Sequence, residues 1–218
     1  MRVGVMGTGV VGQTIGSKLV EIGHEVTMGS RDAASERAAA WASGAGAHAA
    51  AGTFADAAAF GELVVNATNG AGALDALRAA GADNLADKVL IDISNPLDFS
   101  LGFPPTLLVC NTDSLGERIQ AAFPAARVVK TLNTVAAGVK VNPRMLPGHH
   151  TMLMCGDDAA AKATTAGVLA AFGWPRDDIV DLGDISNARA LEMYLSLWVR
   201  LYGTLKTGHF NIRLVRGA

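Results

Sequence analysis

The chain has almost no surplus of charge. Lys and Arg total 18 against 20 Asp and Glu, a formal net charge of −2, so nothing in the balance steers it toward nucleic acid or an anionic membrane surface. It has no uninterrupted apolar run approaching the roughly 18 residues that a spanning helix needs. The apolar opening, Met1 to Val20, is cut by Gly4, Gly7, Gly9, Gly12 and Gly16. It carries one early positive charge and no small-residue cleavage site after a continuous apolar stretch, and it reads as folded structure rather than a secretory signal. Cysteine is scarce. Cys110 and Cys155 stand far apart with no CxxC spacing; they make no disulfide framework, the expected compartment is the cytoplasm, and both thiols are expected as inert core residues. Charged residues make up only 17% of the chain and apolar ones 50%, which excludes disorder as the dominant state. A length of 218 residues suits one large domain, or one domain with a small appendage.

What the sequence does have is alternation. Short β-branched runs stand at Arg2–Met6, Glu25–Met28, Leu63–Ala67, Lys88–Ile93 and Arg127–Thr131, with a weaker one at Ala47–Ala50. Helical stretches separate them: Val10–Gly23, Ala33–Ser43, Thr53–Phe60, Gly72–Ala80 and Ser114–Ala122. Strand and helix in repeating order predict an α/β fold, with parallel strands joined by crossover helices. Runs apolar at consecutive positions, such as Val89-Leu90-Ile91, suit strands covered on both faces. After residue 135 the order changes: strands at Thr151–Cys155 and Asp178–Leu182, a helix at Ala159–Phe172 capped by Asp157 or Asp158, and a long apolar helix at Ala188–Leu205. The expected division is a nucleotide-binding unit over residues 1–135 and a smaller, mostly helical part over 136–218.

Gly7-Thr8-Gly9-Val10-Val11-Gly12 is a GxGxxG that follows a predicted strand and opens a predicted helix, the context that gives the pattern meaning. Gly7 permits the tight turn, Gly9 lets backbone approach a diphosphate, and Gly12 lets the helix pack closely on the strand. Free N–H groups at the helix start and the helix dipole then bind the anion. At the end of the second strand an NAD protein usually places Asp or Glu on the ribose hydroxyls. Here Gly29-Ser30-Arg31 stands instead. A hydroxyl and a guanidinium suit a 2′-phosphate, with Arg37 in reach to assist, so the predicted dinucleotide is NADP. Asp32 runs against this unless it turns away toward the next helix.

With these residues in view, the chain resembles the coenzyme F420-dependent NADP oxidoreductases, and its nucleotide-binding segment is similar to the cytoplasmic reductase domain of the STEAP metalloreductases; F420 is a deazaflavin. Met1–Gly12, Gly23-His24-Glu25-Val26 and Gly29-Ser30-Arg31 carry the resemblance, and Val128–Ala137, Cys155-Gly156-Asp157-Asp158 and Ile185-Ser186-Asn187-Ala188-Arg189 continue it. The resemblance implies a Rossmann-type doubly wound sheet with a small C-terminal, mostly helical part, and a homodimer. It implies NADP held at the diphosphate by Thr8, Gly9, Val10 and Val11, and at the 2′-phosphate by Ser30 and Arg31. It brings Thr68 and Asn69, then Asn95 and Pro96, to the cofactor from loops at the carboxyl ends of two strands, where such sheets place ligands, with Ala137 lining the nicotinamide. The implied activity is hydride transfer between NADP(H) and F420 or a flavin such as FMN or FAD. Two positions depart from the deazaflavin pattern: Asn133 where His is common, and Asn69-Gly70 where a bulkier pair is. They weaken the case for F420 as the acceptor and leave the case for NADP intact.

Such a transfer asks little of side chains, since the two cofactors hold the chemistry. No catalytic acid–base pair is therefore expected. Asn133 and Thr134 are the positioning candidates, either hydrogen-bonding a carboxamide or ring carbonyl or simply capping the turn. An alcohol or imine dehydrogenase needs a proton donor, a role for which Lys130 leaves some room; a non-catalytic NADP(H) sensor needs none. Adjacent His149 and His150 in a loop rarely face one metal, so no metal is expected. Asp92 is read as a structural hydrogen-bonding group. Glu192, on the apolar helix, is expected to pair with Arg189. Trp198, Tyr202 and Phe210 are read as core or dimer surface rather than as a wall for a planar ring.

Overall fold

A computed structural model of the chain describes residues 1–217. Among the described residues, ten strands and nine α-helices follow one another, mostly in alternation. The first half runs β1 (Arg2–Met6), α1 (Val10–Glu21), β2 (Glu25–Ser30), α2 (Glu36–Ala45), β3 (Ala49–Thr53), α3 (Phe54–Phe60), β4 (Leu63–Asn66), α4 (Ala73–Ala80), α5 (Ala82–Leu85) and β5 (Val89–Asp92). The second half runs β6 (Leu97–Asp98), β7 (Thr106–Leu107), α6 (Leu115–Ala122), β8 (Arg127–Thr131), α7 (Ala137–Val141), β9 (Met152–Cys155), α8 (Ala159–Ala171), β10 (Ile179–Asp181) and α9 (Ala188–Leu205). Eight strands form one sheet in the order β10-β9-β8-β5-β4-β1-β2-β3, and β6 and β7 make a separate small hairpin.

The sheet is the expected Rossmann-type α/β one. β1 pairs in parallel with β2 on one side and with β4 on the other. The strand order therefore reverses about β1, and a crevice opens where the carboxyl ends of β1 and β4 part, the place where open α/β sheets bind ligands. The parallel expectation holds from β3 through β8. β9 then joins β8 in antiparallel register, Lys130 opposite Cys155 and Thr131 opposite Met154, so β9 and β10 run against the rest. The expected boundary at residues 135/136 falls inside this sheet, after β8 and before α7.

Alternation along each strand builds two cores. Val3, Val5, Leu63, Val65, Val89, Ile91 and Val129 face one side, where Ile15, Leu19, Trp41, Val139 and Leu169 from α1, α2, α7 and α8 cover them. Met6, Val64, Leu90 and Val128 face the other, under Leu77, Leu85, Ile119 and Leu191 from α4, α5, α6 and α9. Consecutive side chains of a strand point to opposite faces, and here both faces are dry. Gly16 is what lets α1 and α2 approach: a β-carbon there would lie 2.7 Å from the Trp41 ring. Trp41 Nε1 donates to Ser17 Oγ at 3.0 Å across the same contact.

Local boundaries follow side-chain caps. Ser35 accepts from Ala38 N and starts α2 at Glu36, later than its apolar pattern suggested. Thr53 and Asp56 form a reciprocal capping box at α3, and Asp158 accepts from Ala161 N at 2.6 Å to cap α8. The weak strand expected at Ala47–Ala50 is β3 at Ala49–Thr53. The hairpin β6–β7 and the short helix α7 have no clear sequence pattern and were not expected. Cys155 is buried as expected, but Cys110 is exposed: it sits in the turn after β7, outside both cores.

Candidate functional site

The glycine elbow stands at the reversal point of the sheet. Gly7 has φ +112, and a β-carbon there would lie 2.6 Å from the Ala67 carbonyl oxygen; only glycine fits a turn this close to the next strand. At Gly12 a β-carbon would overlap the Gly7 carbonyl oxygen. Gly9 is different. It is the N-cap of α1 with no side-chain cap, and a β-carbon there would meet nothing within 4 Å. The start of a twelve-residue helix, with its free N–H groups, therefore faces open space.

That space is a cavity of about 540 Å³ whose lining brings together Gly7, Thr8, Gly9, Ser30, Arg31, Thr68 and Asn69. Arg37, Ser35, Asp32 and Phe54 complete it. Seven of the expected cofactor residues thus share one wall, drawn from the ends of β1, β2 and β4. Within the group the roles differ. Arg31 is exposed on the rim, and Arg37 from the first turns of α2 joins it. Ser30 is buried, and its hydroxyl donates to the Asp32 carbonyl oxygen. Asp32 does not leave the cavity it helps to line, although its Oδ1 is engaged within its own turn, accepting from Ala34 N at 2.9 Å. It does not cap α2, because Ser35 does so.

The cleft continues past Thr68 and Asn69 into a narrower space of about 180 Å³, lined also by Val11, Ile93, Ser94, Asn95 and Phe99. Gly70 is pressed against the Asn95 carbonyl, which locks the loops after β4 and β5 together. Pro96 follows directly, its carbonyl accepting from Leu108 N at 2.8 Å to anchor the hairpin. Val10 is 75% exposed at the helix start. Asn133 and Thr134 are buried behind the cleft rather than on its surface. Asn133 Nδ2 donates to Asn95 Oδ1 at 3.0 Å and to the Leu191 carbonyl at 2.9 Å, while Asn95 Nδ2 donates back to the Asn133 carbonyl at 3.0 Å. The Asn133 Oδ1 atom is buried without a partner. Ala137 opens α7 just beyond this loop.

Beneath the narrow end lies a buried ionic group. Lys130, fully buried, donates to Asp92 Oδ2 at 2.7 Å, to the Ser94 carbonyl at 2.6 Å, and meets Glu192 Oε1 at 2.8 Å. All three ammonium hydrogens have acceptors. Burial works against the charge, but Asp92 and Glu192 outweigh it and raise the Lys130 pKa above its ordinary value. Lys130 is buried behind the cleft and is not among the residues that line its narrow end. Lys140 is buried nearby, donating to the Leu132 and Val135 carbonyls. Burial, reinforced by Lys130, lowers its pKa to about 7. It braces the turn after β8, where Leu132 takes a left-handed φ of +58.

Comparison with known proteins then decides the family. The family model described as NADP oxidoreductase, coenzyme F420-dependent, matches residues 2–96. A solved protein from Arthrobacter sp. FB24, named as a candidate F420-dependent NADP reductase, is 50% identical with a TM-score of 0.94, over 99% of this chain and 100% of that one. The chain belongs to the coenzyme F420-dependent NADP oxidoreductase family. The chain is also 33% identical over 112 residues to the metalloreductase STEAP3 of Rattus norvegicus; the match takes in 51% of this chain and 20% of that protein, so the chain spans about a fifth of that relative. A reductive aminase from Aspergillus terreus, solved with NADPH and ethyl levulinate, has a TM-score of 0.67 at 23% identity, over 94% of this chain and 62% of that one. That likeness is one of fold.

Several expected side-chain roles change in this family member. Glu192 does not pair with Arg189. Arg189 instead makes a two-point pair with Glu117 of α6, Nε–Oε2 at 2.9 Å and Nη2–Oε1 at 2.6 Å, while Glu192 turns inward to Lys130 and accepts from Leu115 N and Gly116 N at 2.8 and 3.0 Å. Helical spacing put Arg189 within reach of Glu192, but the buried ammonium and two free amides at the start of α6 stabilise the carboxylate better. His149 meets Asp178 at 3.0 Å, whereas His150 points into the protein toward the Pro143 carbonyl and Asn211. Trp198 stacks between Tyr202 and Phe210, with centroids 5.6 and 5.4 Å away. Arg37 joins the cavity as expected, whereas Lys140, with Lys130's buried ionic partners, is what residue patterns pointed to least: the two lysines lie on apolar elements and show no local motif.

Proposed function

We propose that this protein transfers hydride between NADP(H) and a flat heterocyclic acceptor, F420 or a free flavin. The observation that carries the reading is the continuous cleft: an open helix N-terminus at Gly9 and two guanidinium groups at one end, and a narrower, apolar-walled space at the other. The residues fit the dinucleotide. The diphosphate belongs at the amides of Gly9, Val10 and Val11, where a β-carbon-sized volume stands open. The 2′-phosphate belongs at Arg31 and Arg37, which can meet it with several directed donors. Bound there, the nicotinamide supplies the hydride or takes it up. The protein's own part is placement and exclusion of water. Val11 and Ile93 give the narrow end an apolar wall, and Asn95 and Asn133 fix its loops. Asn133 acts from behind the wall, through its bonds to Asn95, and Ala137 stands at the next turn. In this reading residues 1–135 grip the dinucleotide and 136–218 close the hydride end.

The acceptor is proposed by family membership, and a homodimer by the exposed Met193, Leu197, Tyr202 and Leu205 on α9. The test offers F420, FMN and FAD separately with NADPH and follows loss of the near-ultraviolet absorbance of NADPH. Turnover with one or more is expected. NADPH binding with no turnover would replace this reading with that of a dinucleotide sensor; no binding would end both.

A further inference from the structure

Behind the narrow end of the cleft runs a chain of buried polar groups that hydride transfer itself does not use. Thr68 Oγ1, on the cleft wall, donates to Asn66 Oδ1 at 2.6 Å, and Asn66 Nδ2 donates to Asp92 Oδ1 at 2.8 Å. Ser94, also a wall residue, donates through Oγ to the same Asp92 oxygen at 2.7 Å. Asp92 holds Lys130, Lys130 holds Glu192, and Glu192 holds the first amides of α6. One residue earlier on α9, the Leu191 carbonyl accepts from Asn133, which is itself clasped to Asn95. The loops after β4, β5 and β8 are thus tied to α9 at two successive residues.

Packing alone does not call for this arrangement. Three charges with no solvent contact cost more to bury than apolar side chains of the same volume, which often stabilise a fold as well or better. The group also sits where cleft and helix meet. Seven residues on from Leu191, Trp198 of the same helix and the loop that leads into α7 share Gly208 as a neighbour: a β-carbon there would stand 3.1 Å from Ala136 and 3.7 Å from the Trp198 ring. The nearer link from α9 to the cleft is the Leu191–Asn133–Asn95 clasp, since Asn95 lines the narrow end.

We propose that Lys130 and Glu192 are positioning residues for the nicotinamide, coupling the seating of α9 to the loops that line the narrow end of the cleft. This rests on the proposed NADP(H) reading. It separates binding from placement: the phosphates are gripped at the elbow and at Arg31, away from the ionic group, while the ring is held still by loops the group controls.

The experiment uses Glu192→Gln, which leaves Lys130 paired with Asp92 but gives up either the Leu115 amide or, with the side-chain amide turned over, both Lys130 and the Gly116 amide. NADPH is the probe. Calorimetry gives its dissociation constant, and the fluorescence lifetime of the bound dihydronicotinamide reports how firmly the ring is held. A dissociation constant within about twofold of wild type, with a lifetime falling toward that of free NADPH, is the expected result. With an acceptor that wild type turns over, kcat should drop about ten- to a hundredfold, as for a ring misplaced by a fraction of an ångström to one ångström. An unchanged lifetime would overturn the proposal. So would a lifetime that falls only in step with affinity and melting temperature, the mark of a merely structural role. If Glu192→Gln does not fold, the double variant Lys130→Met/Glu192→Gln removes one charge of each sign and is judged by the same two outcomes. No NADPH binding by wild type would refute the proposed function itself; normal binding by wild type with an unaltered variant would refute only the coupling.

Discussion

Replacing Arg31 by Ala tests the proposed contact with the 2′-phosphate. Arg31 lies on the rim of the 540 Å³ cavity, and among the described residues it forms no ion pair. Its removal therefore breaks no ion pair within the chain, and the melting temperature should stay unchanged. A hydrogen bond to a charged group contributes about 1.5–3 kcal/mol. The site is exposed to solvent, so a value toward the lower end, ~2 kcal/mol, is appropriate, which corresponds to a loss of about thirtyfold in NADPH affinity. Arg37 lines the same cavity and keeps the loss from being larger. NADH has no 2′-phosphate and should bind the variant within about twofold of its wild-type affinity. Calorimetric titration of both dinucleotides into both proteins measures the four constants. Because the contact is at the surface, raising the ionic strength should narrow the wild-type preference for NADPH. Parallel losses for NADPH and NADH, or none for either, would show that Arg31 does not meet the 2′-phosphate.

The glycines of the elbow should separate folding from binding. Gly9→Ala meets no neighbour and should cost only about 0.5 kcal/mol of stability while weakening NADPH at least tenfold, roughly, by filling the diphosphate's place; Gly12→Ala drives a β-carbon into the Gly7 carbonyl and should cost ~2 kcal/mol or more in urea denaturation. Equal stabilities for the two would contradict the geometry. Lys130→Met leaves Asp92 and Glu192 buried without their cation and should cost about 3–5 kcal/mol; a loss under about 1 kcal/mol would show that water reaches the group. Lys140 supplies a pH test. Its folded pKa, about 7, is below its unfolded value near 10.4, so between those values the unfolded chain binds the extra proton and stability rises with pH. Wild type should therefore gain on Lys140→Met by up to about 1.4 kcal/mol per pH unit from pH 7 toward 10, and a pH-independent difference between the two would show that Lys140 is not held neutral.

What the residues disclosed in advance was what short-range chemistry determines. The strand at Arg2–Met6, the helix beginning at Val10 and the glycines between them are set by neighbours in sequence, and the elbow stands where it was expected. β8 at Arg127–Thr131 and α9 at Ala188–Leu205 match because β-branched runs and a three- and four-residue apolar stripe are each enough to choose an element. α7 has five residues and a single buried stripe turn, too few for any periodicity, and β6 and β7 have two residues each. Such elements form because the folded sheet is there to receive them. The direction of β9 is likewise undetermined by its own residues: Met152–Cys155 suits a strand of either sense, and the antiparallel choice follows from the path of the chain through α7 and the following loop.

The same distinction governs the site. Arg31 was legible because it replaces an acid at a fixed distance from the glycines. The partner of Glu192 was not, because three residues along a helix and 62 residues along the chain are judged by different rules. Arg189 is within reach of Glu192 by helical spacing, yet it stands at the helix edge, where Glu117 from α6 can offer both oxygens to one guanidinium. Glu192 faces inward, where water is absent, and an unpaired carboxylate there is far more costly than one at the surface. The only buried ammonium it meets comes from β8, a strand whose sequence, Arg-Val-Val-Lys-Thr, reads as an ordinary covered strand with one misplaced charge. A lysine in such a strand and a glutamate in such a helix are each unfavourable alone; that two incompatible residues occur in elements that must pack together was the available signal that they pack against each other.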